Sequence, residues 1–200
     1  MAKIDPEPLE IEKAVLNAVA ARRGHFLYES GHHGDLWLDL DELFVNARRV
    51  RGWASALAER AVACQPELVC GPLTGGAFVA QSLAAEIGAG FIFAERFVSE
   101  TGPVRYHIPE SLRRALYGKR ILLVDDAVNA GSALLSTLTD LLDCGAELAG
   151  LASLLTLGEA AAQIAKQHRV PFFTLVSLER GIWVPDECPL CRSGAPLINR

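Results

Sequence analysis

Four consecutive aliphatic residues, Ile121 to Val124, run straight into two aspartates, Asp125 and Asp126, and then into the small-residue loop "AVNAGS". An unbroken aliphatic run of this kind has the signature of a strand buried on both faces, because a strand with one wet face would alternate. From Ser132 onward the apolar spacing becomes helical, with Leu134, Leu135, Leu138, Leu141 and Leu142 in register. A doubly buried strand needs helices on both sides of its sheet, which limits the chain to a parallel α/β layout. The two carboxylates are expected where that strand runs out.

The rest of the chain repeats the alternation. An amphipathic helix is predicted from Glu10 to Arg23, with Gly24 as its stop, and a hairpin over "HFLYESGHHGDLWLDL", where Leu36, Leu38 and Leu40 alternate with polar or aromatic neighbours. A helix over Ala47 to Cys64, the strand "ELVCGP", the turn "GPLTGG" and a helix over Ala77 to Ile87 follow. After the strand "GFIFAERF" and a polar stretch from Ser99 to Gly118 come the aspartate-ending strand, a helix to Cys144 and a strand over Leu148 to Leu155. A helix over Glu159 to His168 and a strand over Phe172 to Leu178 complete the pattern. The expected divisions are residues 1–45 as N-terminal helix and small hood, 46–180 as a core with a central parallel sheet flanked by helices, and 181–200 as an irregular tail.

With 200 residues, half of them hydrophobic and 22 % charged, the chain can bury a sizeable core without staples. No apolar run is long enough for a membrane span, and "MAKIDPEPLEIEK" has acids where a signal peptide would be greasy, so a cytoplasmic protein is expected. Five cysteines, an odd number, fit reduced thiols in that compartment. A net charge of −5 counts against nonspecific binding to nucleic acid. There is neither a G-x-x-x-x-G-K-[ST] loop nor a G-x-G-x-x-G fingerprint.

Ligands of such sheets bind beyond the carboxyl ends of the strands, where both "GPLTGG" and "DDAVNAGS" fall. Asn129 to Ser132 lead directly into a helix, so backbone N–H groups, the helix dipole and the Ser132 hydroxyl converge on an anion such as a phosphate. Carboxylates would repel that phosphate on contact, but a few ångströms away they can accept hydrogen bonds from ribose hydroxyls. The combination points to a sugar phosphate. Taken alone, the acid pair reads more simply as a solvated strand end beside a helix cap; strand, acid pair and anion nest in register reverse that preference.

At this level of detail "ILLVDDAVNAGSA" resembles the phosphoribosyl pyrophosphate signature of type I phosphoribosyltransferases. The resemblance implies that Asp125 and Asp126 hold the ribose hydroxyls and that Asn129, Ala130, Gly131, Ser132 and Ala133 wrap the 5-phosphate. "CGPLTGG" is similar to the family's pyrophosphate loop, setting Leu73, Thr74, Gly75 and Gly76 near the leaving group. It also implies magnesium carried with the donor and a homodimer that shares loops. "FLYESGHHGDLWLDL" and the ending "ECPLCRSGAPL" resemble the orotate phosphoribosyltransferase branch, in which the base lies against the hood, with Trp37 at the position of a hood aromatic. A core aromatic is the equal alternative for Trp37.

The chain departs from that branch on the acceptor side. Glu29 stands where a lysine precedes the hood turn, and "LLTLGEAAA" lacks the arginine that would meet the orotate carboxylate. The loop from Ala94 to Pro109 has no lysine, which leaves Arg96, Arg105 and His107 as groups for the pyrophosphate. Two further readings therefore stay open: transfer to a different base, or a non-catalytic sensor of phosphoribosyl pyrophosphate. Turnover against a panel of bases separates them. In the tail, Cys188 and Cys191 have the spacing of half a zinc site, weak evidence by itself; Cys64, Cys70 and Cys144 are scattered, so completing it would take a second tail in a dimer. His32 and His33 read most simply as exposed turn residues.

Overall fold

The computed structural model describes residues 8–28, 31–98 and 104–199. In chain order the elements are α1 (Pro8–Ala18), β1 (Arg22–Leu27), β2 (His33–Trp37), α2 (Ala47–Ala61), β3 (Leu68–Pro72), α3 (Gly75–Ile87), β4 (Gly90–Phe97) and β5 (Arg105–His107). There follow α4 (Glu110–Arg113), β6 (Arg120–Val128), α5 (Ser132–Asp143), β7 (Glu147–Leu157), α6 (Ala160–His168), β8 (Phe172–Leu178), β9 (Ile182–Trp183) and α7 (Pro189–Arg192). Among these residues no helix is long and apolar enough to cross a membrane.

The aliphatic run of β6 is buried on both sides, and its side chains alternate between two layers. Leu122 and Val124 pack with Leu57 of α2 and Leu83 of α3, while Ile121 and Leu123 pack with Leu134, Leu138 and Leu141 of α5 and Ile164 of α6. The six-stranded sheet has the order β5-β4-β3-β6-β7-β8 and is parallel except for β5, which runs antiparallel to β4. Asp140 of α5 holds β5 in place by accepting from the Ile108 N–H at 2.7 Å and from Arg113 Nη1 at 2.8 and 2.9 Å.

A second sheet, of order β1-β2-β9, forms the hood. The first helix stops at Ala18 rather than Arg23, because Arg22 to Leu27 are claimed by antiparallel pairing with β2; Gly24, the expected stop, lies inside β1. The tail also departs from its irregular reading. Ile182 pairs with Gly34, the Gly181 N–H donates to Asp35 Oδ1 at 2.8 Å, and the Ile198 N–H donates to the His25 carbonyl at 2.8 Å. Residues 181–199 thus belong with the hood in space.

Candidate functional site

The chain leaves β3 towards β4 on one side and leaves β6 towards β7 on the other, so a crevice opens between β3 and β6 at the carboxyl end of the sheet. Pairing between these strands ends at Cys70 and Leu123. β6 does not stop there: it continues along β7, with Asp125 opposite Ser153 and Val128 opposite Thr156. The aspartates therefore sit within the strand, on the edge that faces the crevice, rather than past its end.

Gly75 and Gly76 meet them from the opposite wall. A Cβ on Gly75 would stand 2.5 Å from Asp126 Cγ and 2.8 Å from its Oδ1; one on Gly76 would stand 2.6 Å from Asp125 Oδ1. Only glycines let the turn approach this closely. The same turn carries Leu73 and Thr74, joined by a cis peptide, with the Leu73 N–H donating to the Ala94 carbonyl at 2.9 Å.

Asp125 is buried, and its Oδ1 accepts from the Asp126 N–H at 3.1 Å. Burial, reinforced by the neighbouring Asp126 charge, holds the Asp125 carboxyl well above the usual carboxylate range. Asp126 is raised as well, chiefly by burial, with the charge of Asp41 adding to the effect. Such a pair favours whatever supplies protons or positive charge: vicinal hydroxyls, or a hard divalent cation that takes oxygen ligands. The donor set thus fits magnesium carried with a polyphosphate.

The phosphate loop lies beside the acids. Gly131 has φ of 77°, and no side chain caps α5, so the N-terminal turn is open to an anion. Asn129, Ala130 and Ser132 are exposed there, with half-buried Ala133 following.

Of the cationic loop groups, the structure brings only Arg96 to the acid side. Arg96 pairs across the β4–β5 ladder with Tyr106, so the two side chains share a face. The Tyr106 phenol is pushed up by burial and by the Asp125 charge, while the hydrogen-bonded Arg96 pulls it down. Arg105 and His107, one residue out of phase, project from the other face; they line a cleft of about 440 Å³ with Thr139, Asp140 and Asp143 of α5. Strand alternation, for which a polar stretch carries no periodic signal, separates them from Arg96.

On the hood, Trp37 is half-buried and stacks near Tyr28, with ring centroids 6.5 Å apart. Glu29 lies outside the described residues. Arg180 and Tyr28, passed over in the sequence, emerge here. Arg180, just past β8, has its guanidinium 5.6 Å from the Tyr28 ring centroid, and its Nη2 donates to Asn129 Oδ1 of the phosphate loop. It bridges hood and phosphate loop. The signal was available: "LERG" lies at the carboxyl end of a strand of the parallel sheet.

The tail cysteines find their partners in their own chain. Cys188 Sγ is 3.4 Å from His25 Nε2, and Cys191 Sγ is 3.2 Å from His33 Nδ1. His33, read as an exposed turn residue, is buried against His25 because the turn ends before it and β2 begins there.

Residues 40–186 match the family described as "Phosphoribosyl transferase domain". The chain is 29 % identical to the orotate phosphoribosyltransferase of Wolinella succinogenes over 96 % of both chains. It is 30 % identical to that of Caldanaerobacter subterraneus over 88 % of both. Among solved structures, the Mycobacterium tuberculosis orotate phosphoribosyltransferase in complex with 5-phospho-alpha-D-ribosyl 1-diphosphate superposes with a TM-score of 0.65 at 19 % identity, covering 86 % of this chain and 97 % of that one. An adenine phosphoribosyltransferase from Thermoanaerobacter pseudethanolicus gives 0.58 at 18 % identity, over 72 % and 88 %. At these identities the superpositions establish the fold.

Proposed function

Because this chain belongs to the phosphoribosyl transferase domain family, we propose that it transfers ribose 5-phosphate from phosphoribosyl pyrophosphate to orotate, releasing pyrophosphate. The observation that carries the reading is the meeting of the buried acid pair with the glycine turn in the crevice between β3 and β6. Relatives named for this reaction align along nearly the whole chain, hood and tail included.

In the reaction the bond between ribose C1 and the pyrophosphate oxygen breaks, and one from C1 to a ring nitrogen forms. Asp125 and Asp126 accept hydrogen bonds from the ribose hydroxyls and, as carboxylates, favour positive charge developing on the sugar. The open first turn of α5, with Asn129 to Ala133, holds the 5-phosphate. Leu73 to Gly76 line the pyrophosphate side, where the lack of side chains on Gly75 and Gly76 makes room for the two carboxyl groups. Magnesium carried with the donor would neutralise charge on the leaving pyrophosphate, and Asp125 and Asp126 are the residues of this chain that would help to hold it. Arg96 is the loop cation already on this side. Arg105 and His107 would need the hairpin to rearrange, so Arg96→Ala is expected to lower kcat/KM more than Arg105→Ala.

For the base we assign Arg180 to the orotate carboxylate, in place of the arginine that "LLTLGEAAA" lacks, and Trp37 with Tyr28 to the wall above the ring. A charge-assisted hydrogen bond of this kind contributes about 1.5–3 kcal/mol, or about 10–150-fold in affinity. The family resemblance further suggests a homodimer, in which exposed Phe97, Val98 and Val104 at the hairpin offer apolar surface to cover. All five cysteines are free, in keeping with a cytoplasmic protein.

The test is pyrophosphate release with magnesium and a panel of orotate, uracil, adenine, hypoxanthine, guanine and xanthine, with the Asp125→Asn/Asp126→Asn double variant as blank. Turnover with orotate alone, with KM for orotate raised at least about tenfold by Arg180→Ala, is expected. Turnover with another base, or donor binding with no turnover at all, would refute the proposal.

A further inference from the structure

We propose that His25, His33, Cys188 and Cys191 form a closed zinc site that staples the C-terminal tail to the hood, a reading independent of the reaction proposed above. Each residue offers one ligand atom, and all four atoms lie within 4.8 Å of one another. A tetrahedral zinc with Zn–N of about 2.0 Å and Zn–S of about 2.3 Å requires edges of about 3.3 Å between nitrogens and about 3.6 Å between nitrogen and sulfur. The structure has 3.0 Å for His25 Nε2 to His33 Nδ1, and 3.4, 3.7 and 3.2 Å for three nitrogen–sulfur edges.

Hydrogen bonding alone does not account for this convergence. His25 Nδ1 lies 2.9 Å from the Ala195 carbonyl, which can only accept, so the ring proton sits on Nδ1 and Nε2 keeps its single lone pair. That one acceptor has three neighbours, His33 Nδ1 and both sulfurs, and can receive from one of them. A cation at the centre takes one lone pair from each of the four. The carbonyl contact is also the outer partner that orients a metal-bound imidazole.

The ligand set selects the metal and its role. Two thiolates and two neutral imidazoles suit zinc, and their two negative charges cancel those of the ion, so the site can lie in the interior without net charge. Four protein ligands fill a tetrahedral shell and leave no open coordination position, which makes the role structural; His25, His33 and Cys188 are buried, and Cys191 closes the site from its exposed side. Binding releases the two thiol protons to solvent as the Zn–S bonds form. Both halves of the site come from one chain, β1 and β2 giving the histidines and the segment around α7 the cysteines, so a partner's tail is not needed.

The experiment uses untagged full-length protein, reconstituted with zinc, dialysed and analysed for metal, together with its cobalt(II) form. About one zinc per chain is expected, with a tetrahedral thiolate-containing cobalt spectrum. Cys188→Ser and His33→Ala should each lower retained zinc at least about tenfold, while Cys144→Ser retains it. Should the variants misfold, the cobalt spectrum of the parent decides alone. Substoichiometric zinc after reconstitution, an octahedral cobalt spectrum, or a Cys188–Cys191 disulfide in its place would overturn the proposal.

Discussion

Replacing Gly75 with alanine adds one methyl group to the wall opposite the acid pair. The three atoms nearest its Cβ all belong to the Asp126 carboxyl group, with Cγ at 2.5 Å and Oδ1 at 2.8 Å. Something must shift, and a side chain can swing where backbone cannot, so Asp126 is the group that moves. A displacement of about 1 Å at a positioned catalytic group costs about 100-fold in rate, or about 2.7 kcal/mol of transition-state stabilisation. Folding should suffer much less, because the clash is relieved at one carboxylate. Gly71→Ala is the contrasting case: its Cβ would overlap the Gly76 backbone, so that variant should lose stability as well. Gly52→Ala in α2, where a Cβ meets nothing within 4 Å, should gain about 0.5–1 kcal/mol and keep full activity. The assays are kcat/KM for pyrophosphate release and Tm for each variant. Parent-like kcat/KM in a folded Gly75→Ala protein would refute the idea that the glycine turn sets the Asp126 position.

Removing the acid pair should stabilise the ligand-free protein. Since the folded-state pKa of Asp125 is raised above its unfolded value, the folded state binds the extra proton and stability falls as pH rises through the acid range towards neutrality. Asp125→Asn should therefore raise Tm at neutral pH and lose that advantage as pH drops to the unfolded carboxylate range, measured against the parent by calorimetry; a lower Tm at neutral pH would contradict it. Asp140→Ala removes the acceptor for both the Ile108 N–H and Arg113, at a cost of about 1–3 kcal/mol, and should release the β5 hairpin; denaturant unfolding and protease sensitivity near Arg105 read both effects.

The strand with its acid pair, the small loop and the helix start were legible because they are local: they follow one another in the sequence, and periodicity alone sets them in register. The glycine turn was legible for the same reason. What sequence could not show was orientation and closure. Arg96 and Arg105 look equivalent in a polar stretch, and only the pairing of Phe97 with Arg105 assigns them opposite faces. Asp125 and Asp126 looked like a strand end because the aliphatic run ends at Val124, whereas pairing with β7 carries β6 on to Val128. Arg180 and His25 acquire partners only through contacts with distant segments, and a proline-rich tail gives no periodic signal that it will pair with the hood.

The hood joins the two ends of the chain. Asp35 accepts from Gly181 across 146 residues, and His25 meets Ala195 across 170. During synthesis the acid-pair strand and the two glycine-bearing loops emerge and can take their places in the large sheet before β9 exists, so the hood is the last part to close. A nascent or C-terminally clipped chain would present those loops without β9 and the tail contacts that complete the hood; on the proposed function it would hold its donor with the acceptor side unfinished. In such a chain the sugar phosphate would be exposed to hydrolysis, and coupling to a base would wait for the final residues.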